Sequence, residues 1–288
     1  MSITLHTDLK NDLSAVQSFF ALAEEIFDLS FQKWYEQGYW GKQYIPYTLF
    51  DNSKAIANVS ANIIETQVNN QPKLYIQIGT VMTAPAYRNK GYARRLIHLL
   101  LQQWEHKCNG IYLYANDTVL DFYPKFGFEP AKEYLFKKEI IPNSLPLIPL
   151  NMDDQQSVSM LKNYYQRGNP FCARPLLNNF GLLMFYCGGP MKDCIYYIPQ
   201  LDCIAIVSFD GPTMTCYELL CSHTLSMNEV LSATARPNTE TVSFGFMPKD
   251  TNGCVLTESN AEEQLFVYSK KENMFKEAPM MLPLLSHA

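Results

Sequence analysis

The sequence lacks an excess of positive charge. Its 288 residues hold 23 Lys and Arg against 28 Asp and Glu, which gives a net charge of −5. Residues 1–145 carry 14 basic and 14 acidic side chains, whereas residues 146–288 carry 9 and 14. Nucleic-acid-binding proteins normally show a basic surplus, because neutralising phosphates drives their affinity. We therefore predict no nucleic-acid partner.

Long apolar runs are also missing. No stretch of 18 apolar residues occurs, and residues 1–6 show neither the basic segment nor the apolar core of a signal peptide. Both absences predict a cytoplasmic protein that does not attach to a membrane.

Metal and disulfide motifs are scarce as well. None of the eight cysteines forms a Cys-x-x-Cys pair, and the five histidines are not clustered. A zinc site needs Cys or His at ligand spacing, so we predict no metal. Cysteines at irregular spacing among apolar neighbours usually behave as small buried hydrophobes, here Cys187, Cys194, Cys203, Cys216 and Cys221. Reduced thiols agree with a cytoplasmic location.

The residues that are present favour two folded domains. Hydrophobic residues make up 47% of the chain and charged residues 18%, which suffices for packed cores. The length suits two domains, and Pro142, Pro146 and Pro149 interrupt an uncharged stretch that is typical of a linker. We predict domains over residues 1–141 and 150–288, joined by a linker over 142–149.

Apolar periodicity predicts a mixed α+β fold in each half. In the first half it predicts helices over 12–28, 31–37 and 93–108, and strands over 55–64, 74–83, 111–115 and 134–140. The strand over 134–140 would be the last of the first domain. The second half repeats this plan, with helices over 153–166, 175–186 and 226–235 and strands over 193–198, 203–209, 214–221, 241–247 and 264–269.

One strand changes its phase. Leu74, Ile76 and Ile78 put the inward face on even numbers, but after Gly79-Thr80 the large apolar residue is Val81. A glycine beside such a slip is typical of a β-bulge, which bends a strand and frees backbone groups from the ladder. The alternative is a fully buried strand end without a bulge.

The loop after this strand has the chemistry of a phosphate site. Arg88 and Lys90 supply charge, Gly91 permits close backbone approach, and the start of the next helix offers unpaired N–H groups. A basic loop of this kind is also common as a plain solvated surface. Neither a Walker loop nor a Gly-x-Gly-x-x-Gly motif is present, which disfavours ATP and NAD.

Two motifs in order resemble the GNAT superfamily of N-acetyltransferases. Arg88-x-x-Gly91-x-Ala93, directly after a predicted strand, resembles its acetyl-CoA-binding motif. The stretches 111–117 and 122–129 resemble its second motif at the correct distance. The resemblance covers residues 45–140, and it implies tandem GNAT-like folds of which the second is degenerate.

The resemblance also implies roles for single residues. The loop amides would hold the CoA pyrophosphate, the strand after the bulge would pair with the pantetheine arm, and the amide of Val81 would stabilise the oxyanion. The residues implied in binding acetyl-CoA are Val81, Met82, Thr83, Arg88, Asn89, Lys90, Gly91, Tyr92, Ala93, Arg94, Asn116 and Tyr123.

Tyr123 occupies the position of the family's general acid, which protonates the departing thiolate. A tyrosine, with a reference pKa of about 10 against about 8.5 for a thiol, is a somewhat weak acid for this step, by about 2 kcal/mol. A helix N-terminus nearby would reduce this mismatch. The alternative is that Tyr123 only packs a helix.

The general base is harder to assign. The strand over 74–83 offers Gln77, which cannot take a proton, and Glu65 lies on the previous strand. The segment 280–288 is unusually apolar for a chain end, and some two-lobed relatives place their terminal carboxylate in the active site as base. We therefore expect the Ala288 carboxylate to enter the first domain's cleft, with His287 as second candidate. A final strand that completes the second sheet is the alternative.

These observations predict direct transfer of acetyl from acetyl-CoA to a primary amine of a small molecule or peptide. No cysteine lies in either motif, which disfavours an acyl-enzyme. Residues 222–225 of the second half contain no glycine, arginine or lysine, so a second acyl-CoA site is not expected. The acidic second half would favour a cationic amine. Two alternatives are a non-catalytic acyl-CoA sensor and a transferase of longer acyl or aminoacyl groups. The sequence does not fix the oligomeric state.

Overall fold

The computed structural model of the chain describes residues 3–221, 224–259, 261–270, 273–277 and 279–287. Its helices are α1 (Leu13–Phe27), α2 (Gln32–Glu36), α3 (Tyr92–Trp104), α4 (Gln155–Arg167), α5 (Phe180–Cys187), α6 (Met227–Thr234) and α7 (Met274–Glu277). Its strands are β1 (Ile3–His6), β2 (Tyr44–Asp51), β3 (Lys54–Val68), β4 (Gln71–Thr83), β5 (Gly110–Ala115), β6 (Glu129–Pro130), β7 (Tyr134–Glu139), β8 (Ile148–Pro149), β9 (Ile195–Ile198), β10 (Cys203–Asp210), β11 (Thr213–Leu220), β12 (Thr241–Phe244), β13 (Cys254–Glu258) and β14 (Gln264–Tyr268).

The strands form two seven-stranded sheets with the same plan. The first has the order β1-β2-β3-β4-β5-β14-β6, and the second, counted from β8, has the order β8-β9-β10-β11-β12-β7-β13. In each sheet the fourth and fifth strands are a parallel pair, β4 with β5 and β11 with β12, and the described neighbouring pairs are otherwise antiparallel. This confirms the predicted α+β fold with two tandem mixed sheets.

The sixth strand of each sheet comes from the other half of the sequence. β7 pairs with β12 and β13 in the second sheet, and β14 pairs with β5 and β6 in the first. The sequence-based placement of strand 134–140 at the end of the first domain's sheet is therefore wrong, as is that of strand 264–269 in the second. Local periodicity gives the type of a strand but not its partner.

Helices cover the two faces of the first sheet. Alternating residues of its central strands, among them Ile76, Ile78 and Leu113, pack against α3, whose buried side chains form one stripe. The opposite face packs against α1 and α2 near β3. Nearer β14, this same face packs against residues of the second half, including Leu176 and Leu182.

The second sheet has an equivalent arrangement. Side chains of β10 alternate between a core under α6 and a core under α4 and α5. Residues 280–287 contact both sheets. At the second sheet, Tyr134 N–H donates to Met280 O at 2.9 Å and Leu284 N–H donates to Gly245 O at 2.8 Å. Met280 and Leu282 also pack in one cluster with Tyr112 of the first sheet. No helix among the described residues is both long and apolar enough to cross a membrane.

Candidate functional site

A cleft of about 1050 Å³ opens where β4 and β5 separate. The two strands pair only from Tyr75 with Gly110 to Gln77 with Tyr112. Beyond this point β5 keeps its pairing with β14 on its other edge, up to Ala115 with Gln264. The separated edges of β4 and β5 therefore leave a gap in the sheet that a ligand can enter.

The predicted bulge in β4 is confirmed. Ser60 pairs with Gly79 and Asn58 with Met82, so Thr80 and Val81 together face one residue of β3. Thr80 has a positive φ of 44°, an uncommon conformation for a branched residue. The bulge turns this part of β4 away from the ladder at the place where β5 also departs.

Polar side chains of β2 and β3 form hydrogen bonds with the bulge. Asn58 Nδ2 donates to Thr80 O at 2.9 Å, and the Tyr44 hydroxyl lies 2.9 Å from Thr80 Oγ1. Ser60 Oγ donates to the Tyr44 hydroxyl at 2.9 Å, and Thr48 Oγ1 donates to Asn58 Oδ1 at 2.7 Å. These contacts satisfy groups that the bulge removes from the ladder, which explains polar residues in the interior of β3.

The loop before α3 has the geometry of an anion site. Asn89 and Gly91 have positive φ values of 62° and 80°, and no side chain caps the first N–H groups of α3. A Cβ atom at Gly91 would meet nothing within 4 Å, so its surface is open to an approaching group. Arg88 and Arg94 line the same part of the cleft. Unpaired helix amides beside two guanidinium groups attract phosphate.

Tyr123 lies in the cleft wall at the start of the turn Tyr123–Phe126, and its ring centroid is 5.3 Å from that of Phe122. Its side chain is buried. Burial raises the pKa of Tyr123 to about 12, with a smaller contribution from the negative charge of Glu263. In this structure the Tyr123 hydroxyl is therefore a weaker acid than that of a free tyrosine.

An aromatic wall faces this site from the other side of the sheet. It combines residues of α2, of the loop after it and of β2 with residues of α5: Trp34, Tyr39, Tyr44, Phe185 and Tyr186. Its ring centroids are close, at 5.8 Å for Trp34 and Tyr44 and 6.1 Å for Trp34 and Phe185. Both halves of the chain therefore build one cleft.

His287 also reaches the cleft. Its ring stacks on Tyr114 at 4.1 Å between centroids, and Tyr186 Oη donates to its backbone carbonyl at 2.6 Å. Burial lowers the pKa of His287 to about 4, and its Nε2 has no hydrogen-bond partner within the described structure. The ring is thus neutral at physiological pH. Ala288 lies outside the described residues.

Glu263 is a cleft residue that the sequence analysis missed. It directly precedes β14 and lines the cleft. Burial raises the pKa of both Tyr123 and Tyr186, and the charge of Glu263 adds a smaller contribution to each. Among the described residues it is the one carboxylate in the cleft wall. The signal was hidden because the strand that follows Glu263 was assigned to the second sheet.

The remaining predicted residues lie as follows. Asn116 lines the cleft, whereas Met82 is buried in the core under α1 and Lys90 Nζ donates to Ala86 O at 3.0 Å. Gln77 lines the cleft with an unpaired buried Oε1. Glu65 is not in the cleft wall, and its carboxylate accepts a 2.6 Å hydrogen bond from Asn178. No metal-binding group of three His, Cys, Asp or Glu is found within the described ranges.

The family assignment rests on a sequence comparison. Residues 12–131 match the family model described as an acetyltransferase (GNAT) domain. Residues 12–131 are thus the part of the chain that matches a GNAT acetyltransferase domain. The resemblance seen in the two motifs is thereby confirmed. No curated protein sequence matches this chain.

Solved structures match both sheets. A conserved protein of Enterococcus faecalis V583, described as a probable N-acyltransferase, is similar over 94% of this chain and 73% of its own, with a TM-score of 0.63 and 13% identity. Eis1 of Mycobacterium abscessus matches 92% of this chain and 73% of its own, with a TM-score of 0.56 and 13% identity. A GCN5-related N-acetyltransferase of Kribbella flavida matches 92% and 70%, with a TM-score of 0.56 and 11% identity. At these identities the likeness shows the tandem fold.

Proposed function

We propose that the protein transfers the acetyl group of acetyl-CoA directly to a primary amine. The observation that carries this proposal is the gap between β4 and β5, which has an anion site at one end and an aromatic wall at the other. The amides from Asn89 to Ala93, with Arg88 and Arg94, would hold the pyrophosphate. The backbone of β4 from Val81 to Thr83, with Asn116 opposite, would hold the pantetheine arm.

Bound acetyl-CoA supplies an activated thioester. The Val81 N–H, beside the bulge, donates to the thioester carbonyl oxygen as negative charge develops there. The amine nitrogen forms a bond to the carbonyl carbon, and the carbon–sulfur bond breaks. Tyr123 gives its proton to the departing sulfur, and its high pKa keeps it protonated until that moment.

Glu263 takes the proton that the attacking ammonium must lose. Gln77 cannot do so, because its side chain is an amide, and His287 stays the second candidate from the sequence, since its ring also lies in the cleft wall. Glu263 stands in the cleft wall close enough to Tyr123 to raise its pKa. The role of an Ala288 carboxylate stays a prediction from the sequence.

A thiol-detecting assay with acetyl-CoA and a panel of amines tests the proposal. We expect CoA release that depends on an amine, with a product heavier than the amine by one acetyl group.

A second candidate function, an acyl-CoA sensor without turnover, is favoured by Gln77, which puts an amide in β4 in place of a carboxylate. Binding of acetyl-CoA in calorimetry without release under any amine would support the sensor and contradict the transferase. The same plate with longer acyl-CoAs tests the acyl preference.

A further inference from the structure

The cleft wall has few charged side chains, and the positive charges lie in a different part of the cleft from the negative one. Among the described residues, Arg88 and Arg94 carry the positive charges, and both belong to the anion site before α3. Glu263 carries the negative charge on the acceptor side, where His287 is neutral. The acceptor side therefore offers one charge, of negative sign, and no cation.

Several polar groups of the aromatic wall are already hydrogen-bonded within the protein. Trp34 Nε1 already donates to Gly181 O at 2.7 Å, and the Tyr44 hydroxyl is used in holding the bulge. Tyr186 Oη donates to His287 O at 2.6 Å. Trp34, Tyr44 and Tyr186 therefore offer an acceptor their ring surfaces. The unpaired Gln77 Oε1 and His287 Nε2 lie outside this wall, and both belong to neutral side chains.

We infer that the acceptor is a monoamine: one primary ammonium, placed against Glu263, on an apolar ring-bearing body without a carboxylate. The inference deepens the proposed function and rests on it. An α-carboxylate on the acceptor would lie close to the Glu263 carboxylate, and the two like charges would repel each other, with no cation on this side to pair with the added one. A polyamine would place a second ammonium where no second carboxylate is described.

Matched amines test this inference in the same thiol-release assay. Phenethylamine and phenylalanine share a body and differ by the carboxylate, while spermidine has several ammonium groups and no ring. We expect kcat/KM for phenethylamine to exceed that for each of the other two at least tenfold. A smaller ratio with either competitor overturns the inference.

Glu263→Gln tests the position of the ammonium. We expect kcat/KM for phenethylamine to fall at least tenfold, while KM for acetyl-CoA changes less than twofold. Glu262→Gln is the matched control, because the neighbouring Glu262 is exposed like Glu263 but does not line the cleft. Equal effects of the two substitutions contradict the contact with Glu263.

The two levels of the hypothesis fail in different ways. If no amine of the panel releases CoA from acetyl-CoA, the proposed transferase function fails and the inference with it. If phenylalanine or spermidine is the better acceptor, transfer to amines stands and the monoamine class is wrong.

Discussion

The two sheets share a strand order but differ at the place where a ligand enters. In each, the fourth strand carries a bulge: β4 at Thr80 and Val81, and β11 at Tyr217, the residue left over between Glu218 opposite Ile206 and Cys216 opposite Val207. Beyond the parallel pairs, the first sheet opens into the cleft. Both sheets therefore share the bulge, and the bulge of the first sheet borders the cleft.

In the second sheet the chain itself occupies the equivalent place. Leu284 N–H donates to the carbonyl of Gly245, just past β12, and Gly245 N–H donates to Cys216 O at 2.7 Å. Met281 packs in the core under α6, and Leu285 packs in the core under α4 and α5. The segment 280–287 thus passes from one face of the second sheet to the other and then places His287 in the first sheet's cleft. A segment that packs on the second sheet thus supplies part of the wall of the first sheet's cleft.

Removing the Tyr123 hydroxyl should give the largest effect. Tyr123→Phe is expected to lower kcat by about 10²-fold or more, since the thiolate then leaves without a proton, while acetyl-CoA affinity is kept. Steady-state kinetics and calorimetry measure the two. Tyr217→Phe, which removes a hydroxyl near the bulge of the second sheet, is the control and should leave kcat unchanged. Comparable kcat values for Tyr123→Phe and wild type would reject Tyr123 as the acid.

The two bulges differ in charge, which predicts a difference in pH dependence. Neutral groups surround the first bulge, whereas Glu218 follows Tyr217 and its carboxylate accepts hydrogen bonds from Asn169 and from Leu219 N–H. Burial raises the pKa of Glu218 to about 7. Because the folded-state pKa lies above the unfolded value, the protonated form favours folding, and this stability is full at acid pH and lost as pH rises toward 7.

Urea unfolding at several pH values measures this loss. Between pH 5 and pH 7 the contribution of Glu218 to the free energy of unfolding should fall by about 2 kcal/mol, and Glu218→Gln should lack this fall. Glu262→Gln, which removes an exposed charge, serves as the control and should follow wild type. Parallel curves for Glu218→Gln and wild type would show that the Glu218 carboxyl does not gain stability from its proton.

The sequence predicted local features better than partners. Gly79 beside a phase slip identified the bulge, and Arg88 with Gly91 identified the anion site. Each of these signals consists of residues that lie within a few positions of one another in the sequence. β7 and β14 were recognised as strands but assigned to the wrong sheets, since a period of two carries no information about a distant neighbour. Glu263 was missed for that reason: its place in the cleft depends on the pairing of β14 with β5, about 150 residues apart in the chain.

A substitution of Gly91, in the loop before α3, is expected to give the smallest effect. It distinguishes a loss of acetyl-CoA binding from a loss of folding stability. A methyl group at Gly91 would project into the space where the phosphate would approach, and it would strain a residue with φ of 80°. Gly91→Ala should raise KM for acetyl-CoA about tenfold, which corresponds to about 1.4 kcal/mol.

Gly211→Ala is the matched control, because Gly211 also has positive φ and open space but lies between β10 and β11 of the second sheet. Both variants should lose a similar, small part of their stability in thermal unfolding, since both strain a left-handed residue. If Gly211→Ala raised KM for acetyl-CoA as much as Gly91→Ala does, the effect would come from strain in the fold, and the anion site before α3 would not be the place that holds the cofactor.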